Sequence, residues 1–285
     1  MIVCGPSRAG KTDAVTQCLA NLEPVTTVDG QIIEPKSDLI YSPTVFTQSA
    51  LAREFLRGLG YPASRKMTAD MAWSKVEDRL VPAGLTHLAI DEIEYAFKPS
   101  SVGRHSYQNE KVKIQGALSR FLDHRIWPLP LVLIGLRNIV DEYAHNDFTF
   151  MRERSDFIEI KAMVVDDRGE HGRLQRGVRT LCDVAGIGWD LHDPDYLFGR
   201  LIHAAGRARG VAIHLAKAAV SEAVTTGADH LQISHFRDVY SRKAKASVAE
   251  NPFVASNWSN LDAAKLGETL DENLMGQMRK MNHAR

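Results

Sequence analysis

The sequence predicts an α/β fold in which a doubly wound parallel sheet is followed by a small all-helical domain. Three observations carry that expectation. Short apolar runs alternate with helical patterns up to about residue 160, which is how a parallel sheet with crossover helices reads. The first run, Ile2-Val3-Cys4, leads directly into the glycine-bearing stretch Gly5-Pro6-Ser7-Arg8-Ala9-Gly10-Lys11-Thr12 and then into a helical pattern. From about Gly172 onward the strand signal stops, and apolar residues recur only at helical spacing.

The elements follow in order. Ile2 to Cys4 is the first expected strand; after the glycine loop, Val15, Cys18, Leu19 and Leu22 fall at i, i+3, i+4 and i+7 of an amphipathic helix. Leu39 to Tyr41 is the second strand. Leu51, Phe55, Leu56 and Leu59 share the face of a helix closed by Gly60, and Thr68 supplies the N-cap oxygen for a helix carrying Ala72, Val76 and Leu80. Leu85 to Ile90 is the third strand, Ile114, Leu118, Phe121 and Leu122 mark the next helix, and Leu131 to Ile134 and Phe157 to Ile160 are the last two strands. The polar stretch Asp166-Asp167-Arg168-Gly169-Glu170 reads as the joint. Beyond it, Val211, Leu215, Ala219 and Ala223 form a stripe at every fourth residue. The expected organisation is residues 1–165 as the core, 166–248 as the helical domain, and 249–285 as a tail that opens on Asn251-Pro252-Phe253. In the tail, Leu266, Leu270, Leu274, Met278 and Met281 form a stripe suited to docking on another chain or to folding back on its own domain.

Composition narrows the class. At 285 residues, with 44% hydrophobic and 25% charged residues, the chain has the make-up of a globular protein with a sizeable core. No apolar run reaches membrane-spanning length and no signal-peptide pattern stands at the start, so a cytoplasmic location with no membrane partner is expected. Thirty-five basic residues balance thirty-five acidic ones, so no global field draws the chain to nucleic acid, although a local basic stripe remains compatible with it. Cys4, Cys18 and Cys182 are odd in number and widely spaced, and read as buried free thiols; none of the eleven histidines recurs at metal-ligand spacing.

The glycine stretch matches G-x-x-x-x-G-K-[ST]. Its glycines let several backbone N–H groups between Gly5 and Thr12, Pro6 having none, with Asp13 just beyond, converge on phosphate oxygens at a helix N-terminus; Lys11 offsets the β and γ charge, and the Thr12 hydroxyl is a ligand for Mg²⁺. About eighty residues later the third strand, Leu85-Thr-His-Leu-Ala-Ile90, ends in Asp91 and Glu92, at the carboxyl edge where open α/β sheets bind ligands. The expected roles are Asp91 in the Mg²⁺ shell and Glu92 as the general base on an attacking water. ATP with Mg²⁺ is the expected cofactor, and ATP hydrolysis the expected activity.

Together with Gly5 to Thr12, the segments Leu88-Ala-Ile-Asp-Glu-Ile93, Leu129-Pro-Leu-Val-Leu-Ile-Gly135 and Arg152 to Ile160, and the helix starting near Gly206, resemble an AAA+ P-loop ATPase. More narrowly they are similar to the TniB and TnsC-like ATPases of bacterial DNA transposition. The resemblance implies an ATP-dependent regulator that assembles with copies of itself, as a ring or helical filament, on duplex DNA and engages a transposase. It implies roles as well: Arg154, with Arg152 second, as the finger that completes a neighbour's nucleotide site, and Arg207, with Arg209 second, as the lid arginine for the γ-phosphate. Relatives often carry a threonine after the glycine that ends the fourth strand, and an adjacent Arg-Phe before the last strand. This sequence has Leu136-Arg137-Asn138 and Arg154-Ser-Asp-Phe157, so that either Asn138 substitutes as the polar sensor or hydrolysis is weak. Relatives also carry a segment ahead of the first strand, where this sequence has Met1.

Arg65 and Lys66, between the second and third strands, read either as DNA-phosphate contacts or as an exposed pair of loop charges. Lys98, Arg104, Lys111 and Lys113 read as a solvated loop. Two further functions remain open from sequence: a helicase-loading or replication-initiation ATPase, and a nucleotide-binding scaffold without hydrolysis.

Overall fold

The computed structural model describes residues 1–26, 30–43, 47–64, 66–97, 104–124, 127–144, 153–190 and 194–262. Arg65, Lys98, Arg152 and the stripe from Leu266 to Met281 lie outside the described residues. The chain divides into two compact units: Met1–Pro6 with Lys11–Ile160, and Ser7–Gly10 with the chain from Lys161 onward.

The first unit is built on a five-stranded sheet of β1 (Ile2–Cys4), β4 (Ser37–Tyr41), β5 (His87–Asp91), β6 (Leu131–Gly135) and β7 (Phe157–Glu159), in the order β4-β5-β6-β1-β7. Every pairing in it is parallel. All five strands expected from sequence are present. A parallel sheet covered on both faces needs apolar residues on both sides of each strand. β6 is accordingly buried at all five positions, and alternate residues enter different cores: Leu131 and Leu133 one, Val132 and Ile134 the other. Two strands without an apolar run of their own, β2 (Val25–Thr26) and β3 (Ile32–Ile33), form a small antiparallel pair outside this sheet.

Helices α2 (Gln48–Gly58), α3 (Ala69–Ala83) and α4 (Arg104–Leu122) fill the core on one face. Thr68 caps α3 as expected, accepting from Met71 N–H at 3.3 Å. Each helix contributes an aromatic ring to one cluster, with Phe55–Trp73 centroids at 5.3 Å, Phe55–Phe121 at 5.2 Å and Trp73–Phe121 at 5.4 Å. Phe121, only 1% exposed, is common to two of these contacts. Phe121→Ala is therefore expected to cost about 3–5 kcal/mol of stability, the usual price of an emptied aromatic site. Urea unfolding of the full chain checks it, and an unchanged midpoint contradicts it.

Two sequence expectations need correction here. Arg104, Lys111 and Lys113 belong to α4 and not to a loop, because the helical pattern that ends at Leu122 extends amino-terminally beyond its apolar face. Cys4 and Cys182 are buried, but Cys18 is exposed. Helix α1 (Lys11–Ala20) buries the narrow stripe Lys11, Val15 and, partly, Leu19 at every fourth residue, and Cys18 falls beside that stripe.

The second unit contains α6 (Arg168–Ala185), α7 (Pro194–Ala204), α8 (Arg209–Thr225) and α9 (Ile233–Ala244), with a two-strand ladder of β8 (Gly188–Trp189) and β9 (His230–Leu231) between them. Helix α5 (Asn138–Ala144) precedes them in the first unit. The stretch read as a joint opens α6, with Asp167 capping Gly169 and Glu170 N–H groups. The expected stripe of α8 is buried, Val211 at 3% and Leu215, Ala219 and Ala223 at 0% exposure. Ala212, Ala216 and Val220 are buried too, so α8 is the inner helix of the unit, and its small residues let α6, α7 and α9 approach closely. Asn251-Pro252-Phe253 is part of this core: Asn251 donates to Arg237 O and Ser241 Oγ at 2.8 and 2.9 Å, and Phe253 packs on Phe236 and Tyr240. Buried Arg200 holds the same segment through the carbonyls of Pro252 and Ala255.

Candidate nucleotide site

The glycine loop leaves the carboxyl end of β1. Gly5 is required by close approach: a Cβ there would stand 2.3 Å from the carbonyl oxygen of Ile160. Gly10, at φ +86°, turns the chain into α1 without the strain a side chain would meet. Arg8 takes φ +58°, a left-handed conformation that costs a non-glycine residue about 1–2 kcal/mol. Ala9 is buried, while Pro6, Ser7 and Asp13 are exposed.

Lys11 begins α1 with its side chain turned back over the loop, donating to Pro6 O at 2.7 Å and Gly5 O at 3.2 Å. It is 9% exposed. Burial lowers its pKa below the usual lysine value, and the nearby carboxylates of Glu94 and then Asp91 oppose that shift. The Thr12 hydroxyl donates to Asp91 Oδ2 at 2.6 Å, so residues seventy-nine positions apart in sequence meet at the carboxyl edge. Two adjacent oxygen donors, one a carboxylate, suit a hard cation such as Mg²⁺. Asp91 is buried, and its other oxygen accepts Glu92 N–H at 2.7 Å. That contact accompanies a second left-handed non-glycine residue, Glu92 at φ +57°, which turns the chain sharply out of β5 and leaves Glu92 exposed.

Sequence reading overlooked Glu94. It is 9% exposed on the short 3-10 turn Ile93–Phe97, faces Lys11, and its Oε2 accepts Leu136 N–H at 3.3 Å. The available signal was Gly135: a glycine at the end of a buried strand marks close approach, and a Cβ there would lie 2.7 Å from Glu94 Oε2. Asn138 opens α5 and is exposed, while Arg137 pairs with Glu159.

Arg154 lies elsewhere. β7 enters the sheet with Phe157 opposite Ile2 and ends with Glu159 opposite Cys4, so Arg154 sits at the amino edge. At about 3.3 Å per residue, at least about 10 Å of strand separates it from the edge that carries its own glycine loop. There it pairs with Asp123, both side chains about half exposed. In the second unit, Arg207 is exposed with φ +62°, whereas Arg209 is held by both carboxylate oxygens of Glu170 at 2.8 and 2.6 Å. Lys66 is exposed. Among the described residues no cluster of His, Cys, Asp and Glu is arranged to hold a metal by itself, and no helix is long and apolar enough to cross a membrane.

A parallel five-stranded sheet in this order, with a glycine loop at the carboxyl end of its inner strand β1, is the AAA+ P-loop NTPase fold. Solved structures carry the same fold. The chain is similar to the Aeropyrum pernix ORC2 protein in ADPNP and ADP complexes, at 15% identity and a TM-score of 0.60, over 87% of this chain and 62% of that one. It is similar to Aeropyrum pernix ORC1 in complex with DNA, at 15% identity and 0.59, over 86% and 59%. A Walker-type ATPase of Pyrococcus abyssi matches at 14% identity and 0.51, over 100% of this chain and 71% of that one. The chain spans about three fifths of the length of the two ORC proteins. No protein-family model and no curated protein matches it.

Proposed function

We propose that this chain is a Mg²⁺-dependent ATPase that assembles with copies of itself on duplex DNA and regulates DNA transposition by engaging a transposase. The observation that carries the ATPase reading is the meeting of Lys11, Thr12, Asp91 and Glu92 at one sheet edge. Lys11 and the backbone N–H groups of the loop bind the triphosphate, Thr12 and Asp91 hold the metal, and Mg²⁺ supplies charge neutralisation at the β and γ oxygens when bound. Glu92 takes the proton of the attacking water. Asn138 is assigned to the γ-phosphate because Leu136 has no polar group. Arg207 is preferred over Arg209 as the lid cation, since Glu170 already engages Arg209.

The position of Arg154 supports a role in trans. At the amino edge of its own sheet it is suited to a neighbour's nucleotide, and ATP then acts as a switch for assembly. Arg154→Ala is expected to leave ATP affinity within about twofold, and to lower turnover by a factor of about 10³, the low end for an arginine finger. Mixing it with Glu92→Gln restores part of the activity, because one kind of boundary regains both wild-type groups. A mixture that co-assembles on gel filtration yet stays inactive excludes Arg154 and moves the assignment to Arg152.

The DNA and transposase parts rest on the sequence resemblance, with Arg65 and Lys66 as the proposed phosphate contacts. Sedimentation of the chain with duplex DNA in ATP, ADP and no nucleotide tests the first: ATP-specific co-assembly is expected, weakening as salt rises. A transposase gene beside this one, and stimulation of its product's strand transfer by this chain, test the second. Likeness to ORC1 in complex with DNA favours one other reading, a replication-initiation or helicase-loading ATPase, which predicts DNA assembly without any effect on strand transfer.

A further inference from the structure

We propose that Glu94 is a positioning residue of the nucleotide site: its carboxylate ties the turn Leu136–Asn138 to the 3-10 turn that follows Asp91 and Glu92, and so sets the rate of turnover. This rests on the nucleotide reading above. The geometry is specific. Glu94 is buried in the first unit, it accepts the backbone N–H of Leu136, and it faces Lys11 across the end of the sheet. A buried carboxylate is costly unless it is hydrogen-bonded and compensated by charge; the Leu136 N–H supplies the first condition and the charge of Lys11 nearby the second.

The surrounding residues are shaped to admit it. Gly135 is the last residue of β6, and any side chain there would meet Glu94 Oε2 at 2.7 Å and the Ile93 and Ile139 Cγ2 methyls at 3.0 and 3.2 Å. Leu136 brings no side-chain hydrogen bond to this corner, so its backbone N–H is the group through which Glu94 holds the β6–α5 turn, which Arg137 also ties to Glu159. Asn138, the polar residue assigned to the γ-phosphate, stands two residues further along the same turn. A carboxylate that fixes Leu136 therefore fixes where Asn138 is presented, without touching the nucleotide itself.

Three variants separate this role from a merely structural one. Glu94→Gln retains volume and an acceptor oxygen for Leu136 N–H, and is expected to keep kcat within about twofold of wild type. Glu94→Ala removes the acceptor, and Gly135→Ala leaves the carboxylate but displaces it; both are expected to lower kcat by about tenfold, the scale of one lost charge-assisted hydrogen bond, with ADP Kd unchanged. The ratio of ATP to ADP affinity, measured with fluorescent nucleotides, is a second readout: the preference for ATP falls in both alanine variants and persists in Glu94→Gln. Wild-type kcat and ATP preference in Glu94→Ala overturn the proposal. So does a Glu94→Gln variant as slow as Glu94→Ala, which assigns the effect to charge, or an equal loss of ATP and ADP affinity, which assigns it to the fold. If the wild-type chain binds ATP without hydrolysing it, the ATPase reading fails while the affinity ratio still decides the role of Glu94.

Discussion

Glu92→Gln is expected to bind ATP within about twofold of the wild-type affinity and to hydrolyse it about 10²–10⁴-fold more slowly, the range that a positioned general base contributes. The amide has the shape of the carboxylate and takes no proton. Because Glu92 leaves β5 at φ +57°, with its N–H donating to Asp91 Oδ1 at 2.7 Å, the replacement keeps the backbone turn and the metal-side carboxylate in place. The predicted consequence is assemblies on DNA that persist with ATP as long as they do with a non-hydrolysable analogue. Single-turnover assays of the purified variant, paired with nucleotide titration, measure both halves. Turnover at the wild-type rate removes Glu92 from the mechanism.

The second large effect is expected at Lys11. Lys11→Ala raises the ATP dissociation constant by about 100-fold, because charge-assisted bonds to a triphosphate contribute roughly 1.5–3 kcal/mol and each 1.4 kcal/mol is tenfold. The side chain is buried, held at Pro6 O and Gly5 O, and flanked by Glu94 and Asp91. Its removal therefore also takes a positive charge away from those carboxylates, and a lower melting temperature accompanies the loss of binding. Titration with a fluorescent ATP analogue and circular dichroism of the same sample separate the two effects. Unchanged affinity in a folded variant refutes the site.

All five strands of the sheet were legible from short apolar runs: β1, β5 and β6 are apolar at successive positions because a parallel strand buried on both faces has to be, whereas β7 keeps its apolar pair Phe157-Ile158 although it is exposed at the sheet edge. The glycine loop was legible because its chemistry is local: Gly5 through Thr12 are contiguous, and Gly5 and Gly10 mark its close approach and its turn into α1, although the left-handed Arg8 carries no such mark. Asp91 was readable from its place at a strand end. The stripe of α8 was readable from its period, and the burial of Val211, Leu215, Ala219 and Ala223 follows it.

Other features had no local signal. Two-residue strands such as β2 and β8 are too short to show a period, and the helical start of α4 carries polar residues. Asn251-Pro252-Phe253 looked like the beginning of a tail because its burial depends on Arg200, Arg237 and Ser241, which lie on other helices. Glu94 passed as one more acid after Asp91-Glu92, since only folding brings Gly135 and Leu136 against it. By itself, the sequence determined the class of sheet, the loop that suits phosphate and the carboxylates at its edge, because each depends on residues adjacent in the chain. Tertiary structure alone decided which carboxylate faces Lys11, how Thr12 meets Asp91, and that Arg154 lies at the sheet edge away from its own loop. Those are distances between segments that strand order and packing bring together, and neither is written in local periodicity.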